Sequence, residues 1–367
     1  MIEKETLPRY KPCGGGLSTR ILKETFPFSF EPVVETQVKA VAYTFGGRAH
    51  VIPVPGGEVQ TVMRDQFDAH LLAHARAEVR PGVYVRNVIE LEDRVVVETS
   101  GGNTVEGRYL IGADGANSVV ARALSLRRGK TTAAAIEAEV PVTPDMRHRF
   151  GDALWFIFGD IRHGYAWVFP KSDHLSVGIA ALHPKHGELQ AGLARVAARY
   201  GISLEDAQLR GHPIPIYVRR EAISTARALL VGDAAGLADP FTGEGIRLAI
   251  KSGRLAAESI IAGRPGQYAV RIHNEIGMCH TFGLGVAWLF YTFPRLCFAL
   301  GAPNPFITYA FVDMLSDRVS YPQVILQTIA SLPVFAVTEI AAALAGLFGG
   351  PRRKREVRSA VYSGAGD

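Results

Sequence analysis

Cysteine is scarce: Cys13, Cys279 and Cys297 are the only three in a chain of 367 residues. None lies in a C-x-x-C pair, and the count is odd. That speaks against a disulfide scaffold or a zinc site, and a reducing cytoplasm fits; no bound metal is expected. An excess of one charge is also lacking. Forty basic against 35 acidic residues leave +5, much of it in the run at residues 352–355, so a globally basic nucleic-acid binder is not indicated. The amino terminus, M-I-E-K-E, has no apolar signal core, so nothing suggests export, and no repeat of fixed period is found, which speaks against a solenoid array. What the chain has is 48% apolar residues, 38 glycines and 21 prolines. Disorder is thereby excluded, and the composition describes an enzyme-like fold with many tight loops, in two domains or one large one.

Helical and extended patterns alternate along the chain. Residues 63–77 place Phe67, Leu71 and Ala75 at helical spacing, and residues 83–99 read as a strand, a turn near Glu92-Asp93 and a second strand. Two short apolar runs follow, Y-L-I-G-A-D-G from Tyr109 and A-L-L-V-G-D-A-A-G from Ala228. Runs of that length, bounded by small-residue turns, predict strands buried on both faces of a parallel sheet. Between them, segments beginning at Leu154, Gly164 and Leu175 predict three successive strands of a second, β-rich part. From Gly243 onward the pattern is mostly helical and increasingly apolar.

The chemistry starts at the strand turns. Gly232-Asp233 followed by Ala234, Ala235 and Gly236 lets a ligand approach backbone while the carboxylate accepts from a sugar hydroxyl. The continuation D-P-F-T-G-E-G-I-R-L-A brings Gly243, Gly245 and Ile246 to the start of a helix, where free N–H groups can face a phosphate or an electron-rich ring. A plain strand-turn-helix connection is the alternative for either turn.

Four motifs together resemble one family. R-Y-K-P-C-G-G-G-L-S from Arg9, I-G-A-D-G-A-N-S from Ile111, Y-A-W-V-F-P-K from Tyr165 and V-G-D-A-A-G-L-A-D-P-F-T-G-E-G-I from Val231 are similar to those of geranylgeranyl reductases. These are flavoproteins of the group built like para-hydroxybenzoate hydroxylase, and the likeness runs from Glu3 to about Pro294. The second and fourth motifs mark FAD binding; the first and third are typical of prenyl reductases. The fold implied is α/β, α+β overall: a Rossmann-like parallel sheet binding FAD, a β-rich substrate domain and a helical carboxyl-terminal region. The corresponding boundaries are residues 1–125 with 226–262, residues 126–225, and residues 263–367. The family's opening strand, G-x-G-x-x-G turn and helix have no counterpart here, so the FAD sheet is expected to be incomplete at the amino terminus. Ile2-Glu3-Lys4 resembles the end of the second strand, with Glu3 in the ribose-binding role.

The resemblance also implies residue roles. Arg64 approaches the FAD phosphates, Val88 flanks the adenine, Asp114 and Gly115 hold the cofactor's extended arm, Asp233 binds the ribityl chain, and Gly243, Gly245 and Ile246 meet the isoalloxazine ring. Cys13, with Gly14 and Gly15, belongs to a loop facing flavin and substrate and is the candidate catalytic residue; a small buried hydrophobe is the other reading of such a cysteine. Tyr165, Trp167 and Phe169 alternate along one strand before Pro170 and share a face, forming either a prenyl-binding wall or plain core. The implied reaction is saturation of isolated alkenes, with hydride from reduced FAD and a proton from an acid the sequence does not identify. The electron donor is NAD(P)H or reduced ferredoxin, and the substrate a geranylgeranyl diphosphate, a geranylgeranylated lipid or chlorophyll precursor, or a quinone tail. A flavin monooxygenase and a truncated, non-catalytic lipid-binding fragment remain as competing readings.

The carboxyl-terminal third adds a membrane expectation. Residues 331–348 carry one charge, Glu339, near their middle, which disfavours a span. The basic run after them, with Phe282, Leu289, Phe290 and Phe293 on an earlier apolar stretch, predicts peripheral docking on an anionic surface. The expected location is the cytoplasm, at the inner face of the membrane, with no nucleic-acid partner.

Overall fold

The computed structural model describes residues 1–129, 131–301 and 304–333. Its largest element is a seven-stranded sheet in the spatial order Arg210–Pro215, Thr132–Pro141, His174–Leu182, Gly164–Pro170, Ala153–Phe158, Ala40–Phe45 and Arg48–Pro53. Neighbours are antiparallel except Ala153–Phe158, which runs parallel to Ala40–Phe45. The three strands expected between residues 154 and 182 are therefore consecutive partners in one sheet. Residues 40–53, which the sequence boundaries assign to the FAD-binding part, complete its far side.

Side-chain alternation divides this sheet into two environments. Ala166, Val168, Val177 and Ile179 point to the face covered by helix Glu188–Tyr200, whose Leu189, Leu193 and Val196 pack on them. Tyr165, Trp167 and Phe169 occupy the opposite face with Phe156, Phe158 and Ala180. That face is closed by later helices, Met278–Thr292, Pro294–Gly301 and Pro305–Leu315, through Phe290, Tyr291, Phe298 and Phe311.

A second core belongs to the flavin-type part. Leu110–Gly112 and Ala228–Leu230 pair in parallel, and the meander Val85–Glu90, Val95–Thr99 and Thr104–Gly107 packs beside them. Ala228, Leu229 and Leu230 are fully buried, whereas Ile111 is 41% exposed. The expectation of burial on both faces thus holds for one strand and fails at Ile111, where no described element lies over the side chain. Helix Ile246–Ile261 covers this core with Leu248, Leu255 and Ala256; Tyr268, Ile272 and Ile276 also pack into it, although they lie beyond the predicted boundary at 262.

A small antiparallel sheet, Gly16–Ser18, Val59–Val62 and Val34–Gln37, joins the two parts. Its helices are Thr19–Thr25, capped by the Ser18 hydroxyl accepting from Arg20 N–H, and Arg64–Ala73, the helix anticipated from residues 63–77. Among the described residues no helix is long and apolar enough to cross a membrane. Of the carboxyl-terminal segment only residues 331–333 are described, so Glu339 and the basic run lie outside the described residues.

Candidate active site

A cavity of about 670 Å³ lies where three of the four sheets meet, within the ~300–1,000 Å³ typical of small-molecule sites. The loop at residues 9–15 crosses it before entering the strand Gly16–Ser18. Gly14 lies flat on the aromatic face: a Cβ there would come within 2.8 Å of Phe169 Cδ2 and 3.1 Å of Trp167 Nε1. At Gly15, with φ +68°, a Cβ would sit 2.0 Å from the Val62 carbonyl oxygen, so both backbone conformation and space demand glycine. Lys171, 2% exposed, fastens this loop by donating to the carbonyls of Gly14 at 2.9 Å and Val62 at 2.7 Å. Burial pushes its ammonium below the ordinary lysine range, while Glu139, Cys13, Glu137 and Glu35 act to retain the charge. Cys13 donates its N–H to Glu137 Oε1, and its sulfur accepts from Gly15 N–H at 3.4 Å.

One end of the cavity is cationic. Arg64 makes a bidentate pair with Asp68 at 2.9 and 2.8 Å, and Arg9 reaches the same carboxylate at 3.2 Å. Burial opposes the Arg64 charge, but Asp68 and the Cys13 sulfur beside it outweigh that and hold the guanidinium protonated. Asp233 follows the strand Ala228–Leu230, with Lys11 Nζ at 3.9 Å and His212 Nε2 at 4.0 Å. Burial, with Lys11 adding to it, lowers the His212 imidazole below its usual range. Arg127 supports the turn from behind, donating to the Asp233 carbonyl at 2.8 Å.

The glycine loop is shaped by Asp239. Its Oδ1 accepts from Phe241 N at 2.9 Å, Thr242 N at 2.8 Å, the Thr242 hydroxyl at 3.0 Å and the Tyr321 hydroxyl at 2.7 Å. Tyr165 donates to the Thr242 carbonyl, and Tyr291 to that of Phe241 at 2.9 Å. Gly243, Gly245 and Ile246 are thereby presented to the cavity. The helix Ile246–Ile261 starts there with no side-chain cap, leaving the positive end of its dipole and its first N–H groups toward the open space. An uncapped helix start, a glycine loop and the cations Arg9, Lys11 and Arg64 around one cavity fit an anionic, ring-bearing cofactor such as FAD.

The cavity brings together Cys13, Gly14, Gly15, Arg64, Gly115, Tyr165, Trp167, Phe169, Asp233, Gly243, Gly245 and Ile246. Four other predicted residues lie away from it. Glu3 accepts from Glu5 N–H at 3.0 Å; Val88 is buried in the flavin-type core; the Pro170 carbonyl accepts from Thr61 at 2.7 Å. Asp114 uses Oδ2 to accept from Val119 N at 2.7 Å and Val120 N at 3.1 Å, so its carboxylate caps the helix Val119–Ala123. Phe290, expected on an outward apolar face, instead packs inward on Phe158, Phe241 and Phe298. Sequence reasoning missed Tyr10, Lys11, Glu137, Lys171 and His212. Lys171 closes the Y-A-W-V-F-P-K motif, and Glu137 interrupts an apolar strand, the two signals that pointed to them.

The FAD binding domain family matches residues 16–267. Geranylgeranyl diphosphate reductase of Synechocystis is 37% identical over 289 residues, covering 70% of this chain and 68% of that protein. The chain belongs to the geranylgeranyl reductase family. The chloroplastic geranylgeranyl diphosphate reductase of Oryza sativa is 32% identical over 292 residues; 72% of this chain matches 61% of its length. A geranylgeranyl bacteriochlorophyll reductase-like protein of Thermoplasma acidophilum superimposes with a TM-score of 0.71 at 27% identity, covering 93% of this chain and 92% of that one. As a geranylgeranyl reductase family member the protein is an FAD-type flavoprotein. Its Asp233 turn, the glycine loop at Gly243 and the aromatic strand from Tyr165 all fall inside the matched region.

Proposed function

We propose that the protein is an FAD-dependent reductase that saturates carbon–carbon double bonds of geranylgeranyl or other polyprenyl chains, drawing electrons from NAD(P)H or reduced ferredoxin. The observation that carries this reading is the continuity of one cavity between two chemistries. At one end are Asp233, the cations and the uncapped helix start; at the other are Leu154, Phe156, Tyr165, Trp167, Phe169, Ala287 and Trp288. A long apolar chain needs such a wall, since it contributes binding through buried area and offers no polar handle. Bound FAD would supply the hydride. Arg64, Asp233, Gly243, Gly245 and Ile246 would hold it, while the aromatic face aligns one double bond at a time and excludes water.

The membrane reading belongs here as well. Helix Met278–Thr292 and its successor expose Phe282, Trp288, Leu289, Phe293 and Leu296, with Trp288 65% exposed while also lining the cavity. A prenyl substrate anchored in a bilayer would meet the cavity at that end, so we place the protein peripherally on an anionic membrane face. The direct test of function supplies FAD, a reduced donor and geranylgeranyl diphosphate, and follows the product by mass. Gain of hydrogen in pairs supports the reductase; gain of oxygen coupled to oxygen consumption supports a monooxygenase. No product with bound prenyl chain supports a lipid-binding role.

A further inference from the structure

A run of polar contacts connects solvent to the cavity beside the Cys13 loop. Glu137 and Glu139, two apart on the strand Thr132–Pro141, project from the same face. Glu137 is 2% exposed and lines the cavity. Its Oε1 accepts from the Tyr10 hydroxyl at 3.1 Å, and its Oε2 from the Ser176 hydroxyl at 3.0 Å. Ser176 in turn accepts from Trp167 Nε1 at 3.2 Å, which ties Glu137 to the aromatic wall. The same Tyr10 hydroxyl lies 3.4 Å from Glu139 Oε1. Glu139 Oε2 is 3.0 Å from His174 Nε2, in ion-pair contact without hydrogen-bond alignment, and His174 Nδ1 meets the 85% exposed Asp173 carboxylate at 2.6 Å.

We propose that His174, Glu139, Tyr10 and Glu137 form a proton-delivery chain, with Glu137 as the acid that protonates the alkene. This rests on the prenyl-reductase reading. A hydroxyl shared by two carboxylates holds one hydrogen and can donate to only one of them at a time, so accepting from Glu139 while donating to Glu137 moves a proton inward. Burial, and next the neighbouring Glu139 charge, push the Glu137 carboxyl up to about 6. At the outer end burial opposes charging of His174, but its contacts with Glu139 and Asp173 outweigh this and raise it above the ordinary value. The other titratable or charged groups facing this chain are Lys171 and Cys13 on the inner side, Arg210, 4.6 Å over the Tyr10 ring, and Arg147 acting on Asp173 at the outer end. In the reaction the Glu137 O–H bond breaks as the alkene π pair forms a new C–H bond. The hydride for the other alkene carbon, and with it the two electrons, would come from reduced FAD held by Arg64, Asp233 and the glycine loop. Glu137 is then reprotonated through Tyr10 and Glu139 from His174 and solvent.

The experiment compares wild type, Glu137→Gln and Tyr10→Phe by product formation across pH and by infrared titration of the protein without substrate. Wild-type turnover is expected to fall as pH rises past about 6. Glu137→Gln, which keeps an acceptor for Cys13 N–H, should lower turnover about 100-fold with KM little changed and abolish that pH limb. In the infrared, a protonated-carboxyl band should titrate near pH 6 in wild type, vanish in Glu137→Gln and keep its intensity with a shifted midpoint in Tyr10→Phe. Wild-type turnover and pH profile in Glu137→Gln, or no titrating band, would overturn the chain alone. A wild type that shows the band yet saturates no prenyl chain would overturn the reductase reading, and the alkene-protonating role with it.

Discussion

Gly178→Ala probes how closely the aromatic wall is built. Gly178 pairs with Trp167 across the strands His174–Leu182 and Gly164–Pro170, and the indole lies over it. A Cβ at Gly178 would be 2.1 Å from Trp167 Cζ2 and 2.5 Å from Cε2 and Cη2, whereas carbon atoms in contact prefer ~3.5–4.0 Å. The ring must therefore retreat by more than an ångström or the two strands must part. Retreat presses the indole toward Gly14, where space is already short, and breaks the 3.2 Å Nε1 bond to Ser176. Overpacking of this kind costs about 1–3 kcal/mol, and the lost hydrogen bond about 0.5–1.5 kcal/mol. The expected destabilisation is about 1.5–4.5 kcal/mol on those two contributions, read as a lower denaturation midpoint together with a change in tryptophan fluorescence. The sign is diagnostic: in an open strand position, replacing glycine by alanine stabilises by about 0.5–1 kcal/mol through reduced chain entropy. An unchanged or raised midpoint with unaltered fluorescence would refute the placement of Trp167 over Gly178.

Three further outcomes are expected. Trp167→Ala removes apolar wall without touching the redox chemistry, so it should raise the substrate KM or alter how many double bonds are reduced; unchanged kinetics and product pattern would make the strand core only. Asp233→Ala should weaken FAD binding about 10–100-fold, measured by flavin occupancy after dialysis; full occupancy would remove Asp233 from the cofactor site. His280 is 2% exposed, and burial lowers its imidazole below the ordinary value despite Asp239 nearby. The unfolded chain therefore binds the proton more readily, and stability falls as pH drops below about 6.5. His280→Gln should flatten part of that slope in a pH series of denaturant melts; His50 and His212, shifted in the same direction, add to it, and His174, shifted upward, opposes it; an unchanged slope would show that His280 does not titrate on unfolding.

The sequence was most legible where local pattern and partner coincide. Strand alternation placed Tyr165, Trp167 and Phe169 on one face, and the strand-Gly-Asp turn at Gly232-Asp233 preceded a helix as drawn. What stayed hidden depends on contacts between distant segments. Nothing near Ala40 in the sequence announces a parallel partner at Ala153, so the pairing of residues 40–53 with the β-rich sheet was not foreseen. The family resemblance implied that Asp114 holds the cofactor's extended arm; its Oδ2 accepts from two helix N–H groups, a contact that the turn sequence alone does not announce. Glu137 and Lys171 drew no role of their own from the sequence, although Lys171 closes the Y-A-W-V-F-P-K motif; the tertiary fold buries both beside the Cys13 loop. Phe290 misled for the converse reason, since a helix apolar nearly all round gives no clue to which side is covered.

The parallel pairing of Ala40–Phe45 with Ala153–Phe158 also governs the order in which the protein can assemble during synthesis. Ala40–Phe45 and Arg48–Pro53 can form their hairpin as soon as they leave the ribosome, but the edge that Ala153–Phe158 will occupy stays bare while the whole meander and the first parallel strand of the flavin-type part emerge. Val41 and Ala42, fully buried at the end, are uncovered through that interval. A nascent chain with an open edge and an apolar face is a target for holding chaperones and for unwanted strand pairing. The cavity itself comes later still, because its wall needs the strands up to Leu182, the glycine loop at Gly243 and the helix Met278–Thr292 that closes it.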